Sequence, residues 1–126
     1  MFYKLLFFLF TPFFVFSQEY EIKSDSVEID TEENKLIYAG EVKFTSESIS
    51  FEADRLVIMQ ESEEFLAEGN PIELYYVENG ETIFGFSNKL KMVSGTIELY
   101  GSAELTRSDT KIISETIRIN LENDKD

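Results

Sequence analysis

The sequence contains no cysteine and no histidine among its 126 residues. Without cysteine, the chain cannot carry a disulfide framework, a thiol nucleophile or a lipid-modified N-terminal cysteine. Without histidine, it lacks the side chain that most often serves as general base and as metal ligand. These absences argue against an enzyme and against a transition-metal site.

Carboxylates and hydroxyls are plentiful, yet no arrangement of them resembles a catalytic site. Glu63 and Glu64 are adjacent carboxylates, but the spacing of a calcium-binding loop is missing, and a solvated charged loop is the commoner explanation. Ser46, Ser48 and Ser50 lie in no G-x-S-x-G elbow. The chain also lacks a glycine motif that cradles phosphate. We therefore predict a non-enzymatic chain that binds no cofactor and no metal.

The charge is strongly one-sided, with 25 acidic residues against 11 basic ones and a formal net charge of −14. A protein that binds nucleic acid is expected to carry a basic patch, so nucleic acid is a poor candidate partner. The simplest role of the acidic surface is solubility. For a sheet with an apolar inner face, like charge outside also discourages aggregation.

Residues 1–17 have the pattern of a secretory signal peptide, with Lys4 before the apolar run 5–16 and small residues at its end. Cleavage after Ser17 would leave one domain, residues 18–126, with a formal charge of −15. The alternative is a retained membrane anchor. The run is shorter than the roughly 20 apolar residues that span a bilayer, which favours cleavage.

Alternation of apolar and polar residues dominates the rest of the chain. In residues 36–44 (LIYAGEVKF), Leu36, Tyr38, Val42 and Phe44 share one parity, as the side chains on one face of a β-strand do. Similar stretches surround two later glycines, and the three glycines are 29 and then 32 residues apart. A repeat of this length predicts one strand unit stacked several times along an axis.

The turn signals divide the chain into roughly ten or eleven short strands at a spacing of about eight to twelve residues. The apolar parity shifts at residues 24–26 and at residues 69–71, which predicts a bulge, corner or kink at each. The inward residues also change from Ala53 to Leu56 and Ile58 after Asp54. Asn79-Gly80 predicts a tight hairpin. No window outside residues 1–17 has helical periodicity. The pattern indicates an all-β sandwich, barrel or roll, and the repeat favours a twisted roll.

The interior face follows from the same parity. After Gly80, we predict that Phe84, Phe86, Leu90 and Met92 point inward and that Gly85 and Ser87 point outward, and in the last strand we place Ile113 inside. An ordinary hydrophobic core is the commoner meaning of such a row. However, so short a roll can hardly form two well-packed sheets, so a trough open on one side, which suits acyl chains, is the alternative. The predicted interior, lipid-contacting residues are Tyr20, Ile22, Ile29, Leu36, Tyr38, Val42, Phe44, Ile49, Phe51, Leu56, Ile58, Leu74, Phe84, Phe86, Leu90, Met92, Leu99 and Leu105.

Seven segments, in order, resemble the OstA-like domain of the LptA family of periplasmic lipopolysaccharide-transport proteins. They are IKSDSVEID, NKLIYAGEVKFT, ISFEADRLVIM, AEGNPIEL, GETIFGFSNKLKM, TIELYGSAELT and IISETIRINLEN, between residues 20 and 123. Each segment alone is weak, but seven in register with matching turns form a specific signal.

The resemblance implies a periplasmic, OstA-like twisted β-jellyroll of antiparallel strands whose apolar interior carries lipopolysaccharide acyl chains. It implies interior roles for Tyr20, Ile22, Leu74 and Met92. It also implies pairing of edge strands with further copies, head to tail, and with related domains of inner- and outer-membrane transport proteins. Relatives usually continue with another strand or two and a basic tail. The acidic surface leaves phosphates of the cargo in solvent or screened by divalent ions.

Two alternatives stay open at this point. One is an LptC-like domain tethered in the inner membrane, which requires that residues 1–17 are retained. The other is a structural β-roll whose interior is all core and which binds no lipid.

Overall fold

The structure, a computed structural model, describes residues 20–121, so the predicted signal peptide lies outside the described residues. In this part of the chain there is no helix long and apolar enough to cross a membrane. The described residues form eight strands, which are β1 (Tyr20–Lys23), β2 (Ser26–Asp30), β3 (Lys35–Ser46), β4 (Ile49–Met59), β5 (Glu64–Glu78), β6 (Glu81–Val93), β7 (Thr96–Arg107) and β8 (Thr110–Asn120).

The eight strands form one antiparallel sheet. Its order is β1-β3-β4-β5-β6-β7-β8, and β2 pairs with the other half of β3. Neighbouring strands are mostly neighbours in sequence, as short hairpin connections dictate. The sheet is not closed, so β1 with β2 forms one edge and β8 forms the other. The predicted all-β roll of antiparallel strands is confirmed.

The strands are fewer and longer than predicted because the long strands bend where the sequence suggested that they end. Each pairing from β3 to β8 has one register shift near its middle, and the shifts lie side by side across the sheet. Bulges bend a strand and increase its twist. The sheet therefore folds along this line into two walls. Wall A contains β1 and residues 42–46, 49–53, 72–78, 81–87, 103–107 and 110–114, and wall B contains β2 and residues 35–39, 55–59, 64–68, 89–93, 96–100 and 116–120.

Glycine forms the corners of β3 and β7. Gly40 and Gly101 have φ angles of 86° and 87°, and the residue after each also has a positive φ. A Cβ atom on Gly40 would lie 2.8 Å from the Cβ of Asp25, and one on Gly101 would lie 3.0 Å from the Cβ of Asn88. Both the backbone conformation and the close neighbour therefore require glycine.

Serine forms a second kind of corner. The hydroxyls of Ser24, Ser87 and Ser114 each donate to the backbone carbonyl two residues later, at 2.9, 2.9 and 3.0 Å. One extra residue at such a corner reverses which side chains face inward. Asp54 follows Ala53 at the equivalent corner of β4, where the parity shifts without a serine.

The turns at the ends of the walls are tight. Asn79 and Gly80 have φ angles of 55° and 78° between β5 and β6, which confirms the predicted hairpin. Ser94 and Gly95, between β6 and β7, have a similar pair of positive φ angles, 49° and 78°.

The core lies between the two walls. The rings of Phe44 in wall A and Phe65 in wall B meet edge to face, with centroids 5.7 Å apart. A Cβ atom on Gly85 of wall A would lie 3.2 Å from Cδ1 of Leu99 in wall B, so the walls touch there. The inner faces of the walls thus form one apolar layer, as packing in protein interiors requires.

Candidate functional site

The inner faces of the walls carry continuous apolar rows, which follow directly from the strand pairing because paired residues point to the same side of a sheet. We call the space between these rows the trough. One row on wall B is Ile29, Leu36, Ile58, Phe65, Met92, Ile97 and Ile119. A row on wall A is Ile22, Phe44, Phe51, Leu74, Gly85, Leu105 and Ile112.

Burial along the row of wall A is greatest in the middle and falls toward both edges of the sheet, whereas the row of wall B is most exposed at β2 and stays buried up to Ile119 on β8. Phe51 is 1% exposed, whereas Ile29 on the edge strand β2 is 66% exposed although it points inward. Val27, beside it on β2, and Ile112 on β8 are also exposed inward-facing residues. The trough is therefore packed in its middle by the chain's own side chains and open at its ends, most widely at β1 and β2.

Aromatic rings line the end of the trough near β1. Tyr20 stacks on Phe44 at 5.3 Å between ring centroids, and Phe44 stacks on Phe51 at 4.8 Å. Phe65 from wall B meets Tyr20 edge to face at 5.5 Å. Such contacts contribute about 0.5–1.5 kcal/mol each beyond the area they bury. This end presents a flat, apolar surface that continues into the core.

The predicted interior residues fall into four groups. Four are half-buried against the core, namely Ile22, Leu36, Tyr38 and Met92. Tyr20 and Ile29 belong to the inner rows but are exposed at the open end. Phe84 and Phe86 lie outside the trough. The other ten are buried between the walls, and they are Val42, Phe44, Ile49, Phe51, Leu56, Ile58, Leu74, Leu90, Leu99 and Leu105.

The prediction that Phe84 and Phe86 point inward is wrong. They are 49% and 38% exposed on the outer face of wall A, whereas Gly85 is buried and Ser87 is 1% exposed. The cause is the corner between Phe86 and Lys89, where the register shifts and the inward parity changes. A buried serine is tolerated at this corner because its hydroxyl donates to the carbonyl of Lys89.

The same error placed Ile113 inside. In the structure it is exposed on the outer face, and its neighbour Ile112 points inward. Ile83, which the same parity error turned outward, is buried between the walls. The predicted set also left out four other large buried residues, Ile72, Tyr76, Ile97 and Ile119. The signal for Ile83 was the similarity of Asn88-Lys89-Leu90 to Asp54-Arg55-Leu56, since a change of apolar parity at Asp54 implies one at Asn88.

The trough carries no charge in the described part of the chain, where Ser87 is the only polar side chain that is fully buried. Burial raises the pKa of Tyr38 and of Tyr76 above the ordinary value of 10.0, so both phenols are neutral at physiological pH. The ion pairs of residues 20–121, such as Arg118 with Glu98 at 2.8 Å, have partly exposed side chains. The described residues contain no group of side chains that could hold a metal ion. The site suits an uncharged, apolar ligand.

Comparisons with known proteins give a family and a solved structure with a similar fold. A family model described as the LptA/(LptD N-terminal domain) LPS transport protein matches residues 21–125. Among solved structures, the chain is similar to LptH from Pseudomonas aeruginosa, described as the LptA homologous periplasmic component of the conserved lipopolysaccharide transport device. The similarity covers 82% of this chain and 77% of LptH at 15% sequence identity, with a TM-score of 0.76. None of the curated proteins matches the chain.

Proposed function

The chain belongs to the LptA/(LptD N-terminal domain) LPS transport protein family, and from this premise we propose that it is a periplasmic bridge module that carries lipopolysaccharide acyl chains in its trough. The membership confirms the resemblance read from the sequence. The family is one of transport proteins, which confirms the prediction of a chain that is not an enzyme. Residues 1–17 act in this proposal as a cleaved signal peptide that delivers residues 18–126 to the periplasm.

The observation that carries the proposal is the pair of apolar rows that continue across the sheet and reach solvent at its edges. Burial of each acyl methylene contributes about 0.8 kcal/mol. An acyl chain would first contact the exposed inward-facing end, at Tyr20, Val27 and Ile29, and then the half-buried Leu36 and Tyr38. Its phosphates would stay outside, since a charge buried without a partner is costly.

The middle of the trough sets a condition on this function. There the chain's own side chains already fill the space, and Leu56, Leu90 and Leu99 are almost completely buried. An acyl chain can pass this region only if the walls separate, and the line of corners is the axis about which they would turn. The same packing favours the second candidate function, a structural β-roll that binds no lipid.

Both edges of the sheet are available for assembly in this proposal. Within residues 20–121, the outer sides of β8 and of β1 with β2 have no paired strand. Exposed edge strands are templates for β-augmentation by another chain. Pairing of β8 with the β1 and β2 edge of a second copy, or of a related transport domain, would join the troughs end to end. Ile29 and Ile112, exposed at the two ends, would then be covered.

The test is native mass spectrometry of the full chain, expressed through the periplasm of a host that makes lipopolysaccharide. We expect a protein mass beginning at Gln18 and a discrete adduct of lipopolysaccharide mass. A bare protein would support the structural roll. A mass that retains residues 1–17 would instead support an LptC-like domain tethered in the inner membrane.

Ile29 and Ile113 provide a matched pair of variants for the same experiment. Both are isoleucines on edge strands and both are about two-thirds exposed, but Ile29 faces the trough and Ile113 faces away from it. Ile29→Asp should lower the adduct fraction because it places a charge at the open end, whereas Ile113→Asp should leave the fraction unchanged. Equal fractions in the two variants would contradict binding in the trough.

A further inference from the structure

The outer face of wall A carries an exposed aromatic cluster that the trough does not use. It consists of Tyr75 on β5 with Phe84 and Phe86 on β6. Tyr75 and Phe84 are paired across the strands, and their ring centroids are 6.1 Å apart. Three half-exposed rings on one face are unusual for a solvent-exposed surface and indicate a ligand or partner.

The cluster borders a pocket of about 390 Å³ whose walls combine rings with hydrogen-bonding groups. Rings and a few placed polar groups around a concave surface are typical of small-ligand sites. The polar side chains that line it are Lys43, Thr45, Ser50, Glu52 and Glu73.

We propose that this pocket binds a neutral saccharide, namely the sugar portion of the glycolipid whose acyl chains lie in the trough. The positively polarised C–H groups on one face of a pyranose ring pack on the negative face of an aromatic ring, as the positive edge of a second aromatic ring does. Sugar hydroxyls donate to carboxylates such as Glu52 and Glu73, and these hydrogen bonds to charged acceptors are strong. Ser50 and Thr45 supply groups that both donate and accept.

The charges of the pocket select against phosphate. Glu52 and Glu73 are directly opposite each other on β4 and β5, and Lys43 lies 3.7 Å from Glu52 only. Two carboxylates against one ammonium leave an excess of negative charge, which repels anionic groups. Outside the lining the charges are closer to balance, because Lys23 is directly opposite Lys43 and Lys111 lies 3.7 Å from Glu104. The selection against anions therefore comes from the two carboxylates within the pocket. The ligand is therefore an uncharged stretch of sugar rather than the phosphorylated part of the glycolipid.

The position of the pocket supports the same ligand, and this step rests on the proposed function. Phe51, Leu74 and Gly85 contribute to the pocket and also belong to the inner row of wall A, so pocket and trough lie back to back across one wall. Lys43 and Thr45, which line the pocket, are on β3 and are paired with the edge strand β1. Neighbouring strands are about 4.8 Å apart, so a head group that leaves the open end of the trough at β1 reaches the pocket within two or three sugar rings.

The test uses the protein purified from the periplasm and the oligosaccharide of the host's lipopolysaccharide after removal of its acyl chains and phosphates. Titration is followed by tyrosine fluorescence and by saturation transfer from the aromatic protons. For a shallow site we expect a dissociation constant of about 1 mM or lower. The double variant Phe84→Ser with Phe86→Ser should weaken binding at least tenfold. The control Ile113→Ser removes an exposed apolar side chain from the same face outside the pocket and should leave binding unchanged.

Three results would overturn the saccharide site. The first is that the wild type shows no saturable binding of the saccharide, and the second is that the double variant binds it as well as the wild type does. The third is that a short lysine–phenylalanine peptide binds in place of the saccharide, which would assign the cluster to a cationic protein segment. The lipid adduct, measured separately by native mass spectrometry, keeps the two proposals apart. A lipid adduct without saccharide binding would contradict only the proposed saccharide site. Absence of the lipid adduct would contradict acyl binding in the trough, whether or not the saccharide binds.

Discussion

Truncation of one buried and one exposed phenylalanine tests the assignment of the two faces of wall A. Phe51 is 1% exposed in the trough and stacks on Phe44, whereas Phe84, two strands away in the same wall, is 49% exposed on the outer face. Phe51→Ala removes a ring from a packed interior, which costs about 3–5 kcal/mol through lost transfer energy and the cavity left behind. Phe84→Ala removes a ring that is only partly buried, so it should lower the free energy of unfolding by only about 1 kcal/mol.

Urea unfolding of the mature protein, followed by circular dichroism, measures both changes. Slopes for small domains are about 1–3 kcal/mol per M, so a difference of 3 kcal/mol between the variants separates their midpoints by about 1–3 M. If Phe51→Ala does not fold, Phe51→Leu keeps most of the volume and should still cost about 1 kcal/mol. Equal losses for Phe51→Ala and Phe84→Ala, or a larger loss for Phe84→Ala, would refute the assignment of the faces.

Two further changes test the corners and the surface electrostatics. Gly101→Ala should destabilise the protein more than Gly80→Ala, because both glycines have a positive φ but only the Cβ at position 101 would meet a neighbour, the Cβ of Asn88 at 3.0 Å. The backbone strain alone costs about 1–3 kcal/mol at either position. Equal unfolding midpoints for the two variants would contradict the contact with Asn88. Hydrogen bonds from Ser108 and Arg107 lower the pKa of Glu81 below its ordinary 4.5. A lowered pKa adds stability above the unfolded value that is lost as the pH falls through the folded one. The difference in unfolding free energy between wild type and Glu81→Gln in urea should therefore be present near neutral pH and should shrink as the pH falls below 4.5. A difference that grows on acidification would show that these hydrogen bonds do not act on Glu81.

The all-β antiparallel fold and most of the interior could be predicted because the alternation of the long strands is clear. In β3, Leu36 and Phe44 keep one parity across the corner at Gly40, since two residues with positive φ are inserted there and the faces do not exchange. In β5, the change of parity across Gly69 is visible in the sequence because the apolar residues themselves change position.

The face of β6 could not be predicted from polarity alone. Phe84 and Phe86 are more apolar than Gly85 and Ser87, so a pattern of hydrophobicity places the rings inside. The structure reverses this because Leu99 of the facing wall fills the space above Gly85, where a ring does not fit, and because Ser87 satisfies its hydroxyl within the corner. The inward side of β6 is therefore decided by contacts between the walls and within the corner, and the periodicity of one strand carries no information about these contacts.

The degree of closure of the trough was equally beyond the sequence. Apolar rows are compatible with a packed core and with an open channel, and only the exposure of Ile29 and Ile112 beside the burial of Leu56 shows which regions are open.

Photo-crosslinking in the periplasm tests acyl binding in the trough most directly. A benzophenone amino acid is placed at position 29 or 36 on the inner row, or at the exposed outer position 113, in cells that make lipopolysaccharide. We expect lipopolysaccharide crosslinks from positions 29 and 36 and none from position 113. Crosslinks from position 113 alone, or from none of the three positions, would contradict acyl binding in the trough.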